Sequence, residues 1–221
     1  MMKHSGAVRA FMLAGIVMLA SQAQAFTPSK PAGQSVMDGV NAVLEVVKKH
    51  SEHGSAGDRE AYLEEVGEVL DPLIGYTVIV SRIMGRELLE SSTQEQKLRF
   101  LEVFKRSMIN TYAGGLYNFG SFEVELLPSE NDSENTVRNT RVNLNVVSPD
   151  GQEYPMIQSV YYSREADDWR MQNVIVNGVN LGVTFKSQFD QIYRDTGGDL
   201  DATIDEWERT TAETFDEEQF Q

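Results

Sequence analysis

Apolar residues recur every three or four positions in the first third of the chain, which is the spacing of one helix face. The first run predicts a helix over 36–49, with an apolar face made of Val36, Val40, Val43, Leu44 and Val47. The glycine-containing stretch 51–57 ends it. A second helix is predicted over 58–70 and a third over 72–84, with Pro72 in its first turn.

The strongest helical pattern spans 93–112. Ser92 and Glu95 have the spacing of a capping box, which satisfies free backbone N–H groups at a helix start. Four large apolar residues then recur at every fourth position and form one stripe: Phe100, Phe104, Met108 and Tyr112. This pattern predicts a long helix with one aromatic face.

After Gly114 and Gly115 the hydrophobic period changes from about four to two, which is typical of half-buried strands. Alternating runs predict four strands, over 122–126, 137–147, 154–163 and 169–177. Short turns join them, so neighbouring strands are expected to be antiparallel.

Two further helices are predicted over 178–194 and 199–211, with aromatic and aliphatic residues at helical spacing. Helices, then a strand meander, then helices predict an α+β domain. We expect a helical layer packed on a curved four-stranded antiparallel sheet, enclosing an apolar cavity.

The N-terminus has the order of a secretory signal peptide: a basic region with Lys3 and Arg9, a short apolar run and an Ala-Gln-Ala end. We predict a signal peptide over 1–25, cleaved after Ala25, and therefore a periplasmic protein. A flexible leader is expected over 26–34 because it contains two prolines. A single α+β domain over 35–212 and an acidic tail over 213–221 complete the predicted organisation.

Charge excludes several classes of function. The chain contains 34 acidic and 19 basic residues, and removal of Lys3 and Arg9 with the signal peptide changes the net charge from −15 to −17. Such a surface does not suit phosphate backbones or anionic membranes. The chain has no cysteine, so disulfides are absent and stability must come from an ordinary core.

Sequence signals for catalysis or metal binding are weak. No nucleophile elbow, phosphate loop or dinucleotide fingerprint is present, so an enzyme is not expected. His50 and His53 have a spacing that would suit a metal ligand pair if the helix continued. Histidine is also common at helix C-termini, where it interacts favourably with the dipole, and we expect no metal.

Three segments together resemble a known family. One is a strand-to-helix junction over 173–181, which continues in an aromatic-basic-x-x-Phe motif from Phe185 to Phe189. Another is 96–112, which resembles the family's aromatic helix. The segment 73–85 resembles a helix that ends in an apolar residue and glycine. On these motifs the chain resembles the MlaC family of periplasmic phospholipid-binding proteins, also called the toluene-tolerance auxiliary family.

The resemblance implies a phospholipid carrier in which bound lipid is cargo and no cofactor is needed. It also implies partners at both membranes: an outer-membrane lipoprotein–porin complex, and an inner-membrane ABC transporter with a membrane-anchored lipid-binding subunit. Such a carrier would shuttle lipid between them and maintain outer-membrane lipid asymmetry.

Apolar faces of the predicted helices and strands supply the candidate lipid-binding residues. The helices contribute Tyr76, Val80, Ile83, Met84, Phe100, Phe104, Met108 and Tyr112. The sheet and the junction contribute Val142, Leu144, Val146, Tyr161, Met171, Val174, Val176, Val179 and Leu181. Each of these also fits an ordinary packed core. Methionines at 84, 108, 156 and 171 favour a ligand site, since their side chains adapt to varied shapes.

Two other functions remain open on the sequence. A lipid hydrolase would need a titratable pair buried in the cavity. An adaptor that only bridges membrane complexes would have a filled core and no ligand.

Overall fold

The structure, a computed structural model, describes residues 27–51, 58–114, 122–129 and 132–217. The predicted signal peptide over 1–25 and His53 lie outside these residues. Within them, no helix combines the length and the apolar character needed to span a membrane.

Helices form most of the described chain. The six α-helices of the described ranges are α1 Ala32–Ser51, α2 Asp58–Leu70, α3 Tyr76–Ser91, α4 Gln94–Met108, α5 Leu181–Asp195 and α6 Leu200–Glu217. One π-helical turn, Ile109–Ala113, comes directly after α4, and a 3₁₀ turn covers Asp132–Glu134. The helical periodicity in the sequence therefore predicted the correct type of element in each case.

The strands form one antiparallel meander. The described strands are β1 Glu123–Leu126, β2 Thr140–Val147, β3 Glu153–Ser163, β4 Asp168–Val176 and β5 Val179–Asn180. Each pairs with the next along the chain, in the order β1-β2-β3-β4-β5. A bulge between Ser159 and Val160 interrupts the β3–β4 register, and bulges bend a strand and increase its twist.

The fifth strand corrects the predicted four-stranded sheet. Val176 pairs with Val179 across a two-residue turn, Asn177–Gly178, in which both residues have positive φ (50° and 83°). Asn-Gly is the sequence best suited to a tight hairpin, because both positions tolerate left-handed backbone. The hairpin uses 178–180, so α5 begins at Leu181, where the Asn180 side chain accepts a hydrogen bond from Val183 N at 3.2 Å.

The cap of α4 lies one residue later than predicted. Thr93, not Ser92, forms the capping box, and it exchanges hydrogen bonds with Gln96 at 3.1 Å in both directions. The Ser92 hydroxyl instead donates to the carbonyl of Leu88, at the end of α3. Ser92–Glu95 and Thr93–Gln96 both have the spacing of a capping box. The short connection between α3 and α4 leaves Ser92 at the end of α3 and Thr93 as the residue that caps α4.

The third helix begins at Tyr76 rather than at Pro72. The residues before it, 73–75, run alongside β4: Ile74 forms a parallel bridge with Met171. Gly75 N donates to Met171 O, and Met171 N donates to Leu73 O, each at 2.8 Å. Helix α3 is also kinked at Gly85, whose φ of 75° is left-handed.

The helices extend further into the predicted leader and tail than expected. Helix α1 begins at Ala32, and Trp169 Nε1 donates to Lys30 O at 2.9 Å, so this end of the leader is attached to the sheet. Helix α6 continues to Glu217, within the segment predicted as a tail. Strand β2 begins at Thr140 rather than at 137, because 136–139 form a small turn closed by a Thr136–Asn139 bridge.

The helices pack in two layers. Helices α1, α3 and α5 contact the sheet, and α6 packs on α4 and α5 on the outer side. The largest buried cluster lies within the helical layer and is rich in aromatic residues, including Phe100, Phe104, Phe189 and Trp207. A second buried cluster joins α1 to the sheet through Val142, Leu144 and Trp169, among others.

Candidate functional site

An apolar pocket, here called the α1 pocket, lies between α1 and the β1–β2 side of the sheet. Its volume is about 260 Å³. The residues that contribute apolar lining include Val36, Val40, Val43, Leu44, Leu73, Val124, Leu144, Val146 and Met156. Helix α1 presents one face of its 3.6-residue period here, while β2 contributes alternate residues, as the strand period of two requires.

A second apolar pocket, here called the α4 pocket, lies between β4 and the helices α3, α4 and α5. Its volume is about 270 Å³. Its lining includes Val66, Ile79, Phe104, Met108, Tyr112, Val174, Val176, Leu181 and Phe185. Amide side chains on its lining lie on the β3 and β4 strands, at Gln158, Gln172 and Asn173.

The two pockets adjoin each other. Six residues line both of them: Val43, Leu70, Ile74, Met156, Gln158 and Met171. Protein interiors are close-packed, with few voids larger than a water molecule, whereas a volume near 260 Å³ has room for roughly nine waters at about 30 Å³ each. An apolar lining gives those waters few hydrogen bonds, so the shared space suits an apolar ligand.

Side chains pack directly against the backbone at two glycines near the wall that the two pockets share. A Cβ at Gly75 would lie 2.6 Å from Tyr161 Cε1, and one at Gly39 would lie 2.8 Å from Leu73 Cδ1. Both glycines therefore allow side-chain contacts that an added Cβ would displace, most severely at Gly75 against the rigid ring of Tyr161. The Gly75 contact lets 73–75 pair with β4, which brings Ile74 between the two pockets.

The π-helical turn changes the direction of the aromatic stripe of α4. Tyr112 was expected on the same face as Phe100 and Phe104, but its side chain is 43% exposed. A π turn inserts an extra residue into the helical repeat and so rotates the side chains beyond it. Tyr112 nevertheless lines the α4 pocket, where its ring centroid is 6.4 Å from that of Phe185.

A bulged glutamine forms the polar rim of the α4 pocket. Gln172 has no partner in the β3–β4 register, because Asn173 pairs with Ser159 and Met171 with Val160. Its side chain is buried, accepts from Arg82 Nη2 at 2.6 Å and donates to Arg138 O at 3.0 Å. The buried amide is therefore satisfied, which fixes the rim without an unpaired polar group.

The structure brings many of the candidate residues to a pocket wall. Those that line one of the two apolar pockets are Tyr76, Phe104, Met108, Tyr112, Leu144, Val146, Met171, Val174, Val176 and Leu181. Tyr161 instead lines a neighbouring polar pocket. Their roles in ligand binding remain predictions.

The other candidates lie elsewhere. Val80, Ile83, Met84 and Phe100 are in the aromatic-rich cluster of the helical layer, each 4% exposed or less. Val142 is in the cluster between α1 and the sheet and is 4% exposed. Val179 comes after the Asn177–Gly178 turn and is 54% exposed. The hydrophobic pattern alone does not distinguish these three environments.

Sequence reasoning missed the contribution of α1. Its apolar face was recognised, but Val36, Val40, Val43 and Leu44 were not among the candidate lipid-binding residues, and all four line the α1 pocket. Met156 lines both pockets and was noted only as a methionine. The four methionines were the available signal, and three of them, at 108, 156 and 171, line a pocket.

A polar pocket adjoins the apolar ones at Ile74 and Tyr76, and its volume is about 620 Å³. Burial, and then the negative charge of Asp71, raises the pKa of Tyr76 above its usual range. Like any tyrosine hydroxyl it is protonated at neutral pH, and the raised pKa keeps it protonated beyond the pH at which an exposed tyrosine ionises. Lys105 pairs with Asp71 and lies 5.8 Å from the centroid of the Tyr76 ring.

His50 is part of a structural contact. Its Nε2 lies 2.8 Å from Glu65 Oε2, and its ring packs edge-on against Tyr62 at 5.5 Å. Hydrogen bonding from Lys49, and then from His50, holds the pKa of Glu65 below its usual range. In the part of the chain that the structure describes, no cluster of three or more His, Cys, Asp or Glu side chains could hold a metal ion.

Comparison with known proteins gives consistent matches. The model of the family described as MlaC protein matches residues 38–209. The toluene tolerance protein ttg2D of Pseudomonas putida is 28% identical over 195 residues, which is 87% of each chain. A phospholipid-binding protein from Ralstonia solanacearum, solved in complex with a phospholipid, has a similar fold: the TM-score is 0.68 at 24% identity, over 83% of this chain and 98% of that one.

Proposed function

This chain belongs to the MlaC family, and from that premise we propose that it is a periplasmic phospholipid carrier whose adjoining apolar pockets hold acyl chains. The observation that carries the proposal is the pair of pockets, about 260 and 270 Å³, with six shared lining residues. The phospholipid bound to the Ralstonia solanacearum protein of the same fold supports it.

Such a pocket removes the main barrier to moving a lipid through water. Each exposed methylene costs roughly 0.8 kcal/mol, so two acyl chains with about 30 methylenes would cost on the order of 20 kcal/mol. Pocket walls made of Val, Leu, Ile and Met replace membrane hydrocarbon with protein hydrocarbon. Transfer into the protein is then close to neutral in free energy and needs no chemical reaction, so the proposed carrier is not an enzyme.

The pockets also argue against the adaptor. An adaptor needs only a filled core, and a close-packed core does not leave apolar space of this size. We further propose that the carrier delivers its cargo between an outer-membrane lipoprotein–porin complex and an inner-membrane ABC transporter with a membrane-anchored lipid-binding subunit. The excess of 34 acidic over 19 basic residues would favour docking to basic surfaces on such partners.

The decisive experiment is mass spectrometry of an organic extract of the protein purified from its native envelope. The carrier is expected to release diacyl phospholipid in near-stoichiometric amount. An extract without lipid, from folded protein, would contradict the proposal and favour the adaptor.

N-terminal sequencing tests the compartment separately. Cleavage after Ala25 leaves Phe26 as the first residue of the mature protein, and the protein is then expected in the periplasmic fraction. A mature chain that begins at Met1, or that stays with the membranes after a salt wash, would be inconsistent with a released periplasmic carrier.

A further inference from the structure

The wall that the two apolar pockets share contains one polar side chain, that of Gln158 in β3. The five other residues that line both pockets are apolar: Val43, Leu70, Ile74, Met156 and Met171. Hydrocarbon tails need no polar group in such a wall. An amide that is cut off from water without a hydrogen-bond partner also costs free energy, so the presence of Gln158 calls for an explanation.

The register of the sheet explains why Gln158 faces both pockets. It lies directly opposite Val142 of β2 and Val174 of β4, and residues paired in this way point to the same face of a sheet. Val142 is buried under α1, whereas Val174 lines the α4 pocket. The Gln158 side chain therefore lies on the helix-covered face of the sheet, between the α1 side and the α4 side.

Two other amides line the α4 pocket, and both have a structural role. Gln172 accepts a hydrogen bond from Arg82 Nη2 at 2.6 Å and donates to Arg138 O at 3.0 Å. Asn173 Oδ1 accepts from Gly182 N at 3.0 Å, at the start of α5. Their hydrogen bonds are made to the protein, so neither amide depends on a ligand for a partner.

Gln158 differs from these two amides. In the part of the chain that the structure describes, its one hydrogen bond runs from Nε2 to Met156 Sδ at 3.9 Å. A thioether sulfur is a weak acceptor, and a glutamine amide has two donors and an acceptor oxygen. Most of the hydrogen-bonding capacity of Gln158 is therefore available to whatever occupies the pockets.

Loading with lipid changes what this amide can bind. In an unloaded pocket, water can serve as its partner. Tails that fill the pockets exclude that water, so the lipid itself must then supply the acceptor. The tails have none, but a diacyl lipid carries two ester carbonyls where its tails join the glycerol. If one tail enters each pocket, this part of the lipid lies at the shared wall.

We propose that Gln158 is a specificity-determining residue, whose amide donates a hydrogen bond to an ester carbonyl of a lipid with one tail in each apolar pocket. The site then prefers ester-linked lipids to ether-linked lipids with the same tails and headgroup, because an ether oxygen is a weaker acceptor than a carbonyl. This inference rests on the proposed function and extends it from the tails to the linkage that joins them.

The test is a competition between two lipids that differ only in this linkage. Delipidated mature protein is incubated with vesicles that contain diester and diether phosphatidylglycerol with equal tail lengths in equal amounts, then recovered, extracted and analysed by mass spectrometry. The bound diester-to-diether ratio is expected to be about three- to tenfold higher for the wild type than for Gln158→Met, the effect of one hydrogen bond. Using the same vesicles for both proteins removes any difference in how easily the two lipids leave the bilayer.

Gln172→Met is the matched control, because it makes the same substitution at another amide of the α4 pocket. It removes the acceptor of Arg82 and the donor to Arg138 O, so it is expected to lower the melting temperature of delipidated protein and to keep the wild-type lipid ratio. Gln158→Met breaks only the weak contact with Met156, so it should not lower the melting temperature. A lipid ratio that fell in Gln172→Met but not in Gln158→Met would overturn the proposal.

Infrared spectroscopy tests the hydrogen bond itself. Protein is loaded with diester phosphatidylglycerol that carries ¹³C at both ester carbonyls, which separates their stretching band from that of the peptide groups. A hydrogen bond weakens the carbonyl bond, so the wild type is expected to show a component at lower frequency that Gln158→Met lacks. Identical ester bands in the two proteins would mean that water or another residue meets the lipid there, and would overturn the role of Gln158.

The outcomes separate this inference from the carrier function. Equal diester-to-diether ratios in the wild type and Gln158→Met, at normal total uptake, would overturn the role of Gln158 and leave the carrier intact. Folded wild-type protein that takes up neither lipid would contradict the carrier function itself.

Discussion

The aromatic-rich cluster of the helical layer and the walls of the two pockets are built from the same kinds of side chains, yet they pack differently. In the cluster, the ring centroid of Phe100 lies 4.9 Å from that of Phe189 and 5.7 Å from that of Trp207, and each ring is nearly fully buried. The pocket walls are lined mainly by aliphatic residues and methionines, joined by Phe104, Tyr112 and Phe185 in the α4 pocket, and each wall faces about 260–270 Å³ of space.

The difference between them is packing density rather than hydrophobicity. A cluster residue that lines neither pocket, such as Phe100 or Met84, is surrounded by other side chains, so its truncation creates a new cavity. A residue on a pocket wall contacts side chains on one side and ligand space on the other. Substitutions should therefore affect stability in the first region and ligand binding in the second.

A matched pair of methionines gives the largest expected effect. Met84 is 4% exposed in the cluster, whereas Met156 lines both pockets. Met84→Ala is expected to lower the free energy of unfolding by about 2–5 kcal/mol, because a cavity is left behind. Met156→Ala enlarges space that already exists and should cost much less. Thermal melting of delipidated protein measures both, and equal losses would mean that the pocket walls are packed as tightly as the cluster.

Two valines on the same strand give the next largest effect. Val142 is buried under α1, and Val146, on the same face of β2, lines the α1 pocket. Val142→Trp should destabilise by about 1–3 kcal/mol or more, since the ring displaces packed neighbours. Val146→Trp should leave the melting temperature nearly unchanged but reduce the lipid content.

The melting temperature of delipidated protein and the lipid content after expression in the envelope are measured together, so that bound lipid does not mask a loss of stability. If Val146→Trp lowered the melting temperature and kept its lipid, the α1 pocket would not be ligand space.

Asp168 offers a smaller, pH-dependent comparison beside Trp169, in the buried cluster that joins α1 to the sheet. Burial opposes ionisation there, but hydrogen bonds from Ser35 and Trp169 N, together with Lys30, give a net lowering of the pKa of Asp168. A lowered pKa in the folded state contributes stability above about pH 4, which is lost as the pH falls through the folded value. Asp168→Asn is expected to cost about 1 kcal/mol at pH 7.

Chemical denaturation at a series of pH values measures this effect. The difference between Asp168→Asn and the wild type should shrink below about pH 4. Because the Asp168 side chain is about one-third exposed (34%), added salt should reduce the stability difference between Asp168→Asn and the wild type further. A difference that stayed constant down to about pH 2 would mean that the carboxylate charge contributes nothing.

The smallest expected effect is that of salt and chelator on total lipid uptake. Burial of tails supplies the affinity and depends little on charge screening. Uptake from vesicles, measured as bound lipid per protein, should be unchanged by EDTA and nearly unchanged between low and moderate salt. A requirement for zinc, or a collapse of uptake with salt, would contradict tail burial as the source of affinity.

Much of the fold could be predicted because local patterns specify it. The capping motif and the apolar stripe of α4, and the alternation in β2 to β4, predicted elements that the structure contains. The misses occurred where two local signals competed. Ser92 and Thr93 are both capable caps, and the Asn177–Gly178 hairpin was interpreted as part of a strand-to-helix junction.

The binding site was less predictable for a different reason. Phe100 and Phe104 share one apolar stripe of the sequence, but only Phe104 lines one of the two apolar pockets. The apolar face of α1 was not predicted to bind ligand, and it forms one wall of the α1 pocket. Sequence periodicity tells which face of an element is apolar, but it does not tell whether another side chain fills the space opposite.

The sequence by itself determined the α+β class, the antiparallel meander and the set of apolar faces, since propensity and periodicity act over a few residues, and its motifs carried the resemblance to the family. Tertiary structure decided where those faces leave space. The pairing of 73–75 with β4 joins segments that are far apart in the sequence, and the π-helical turn after α4 is held to α2 by a hydrogen bond from the Tyr62 hydroxyl to the carbonyl of Ala113. Pocket volume is the space left between packed elements, so it is fixed only when all of them are in place.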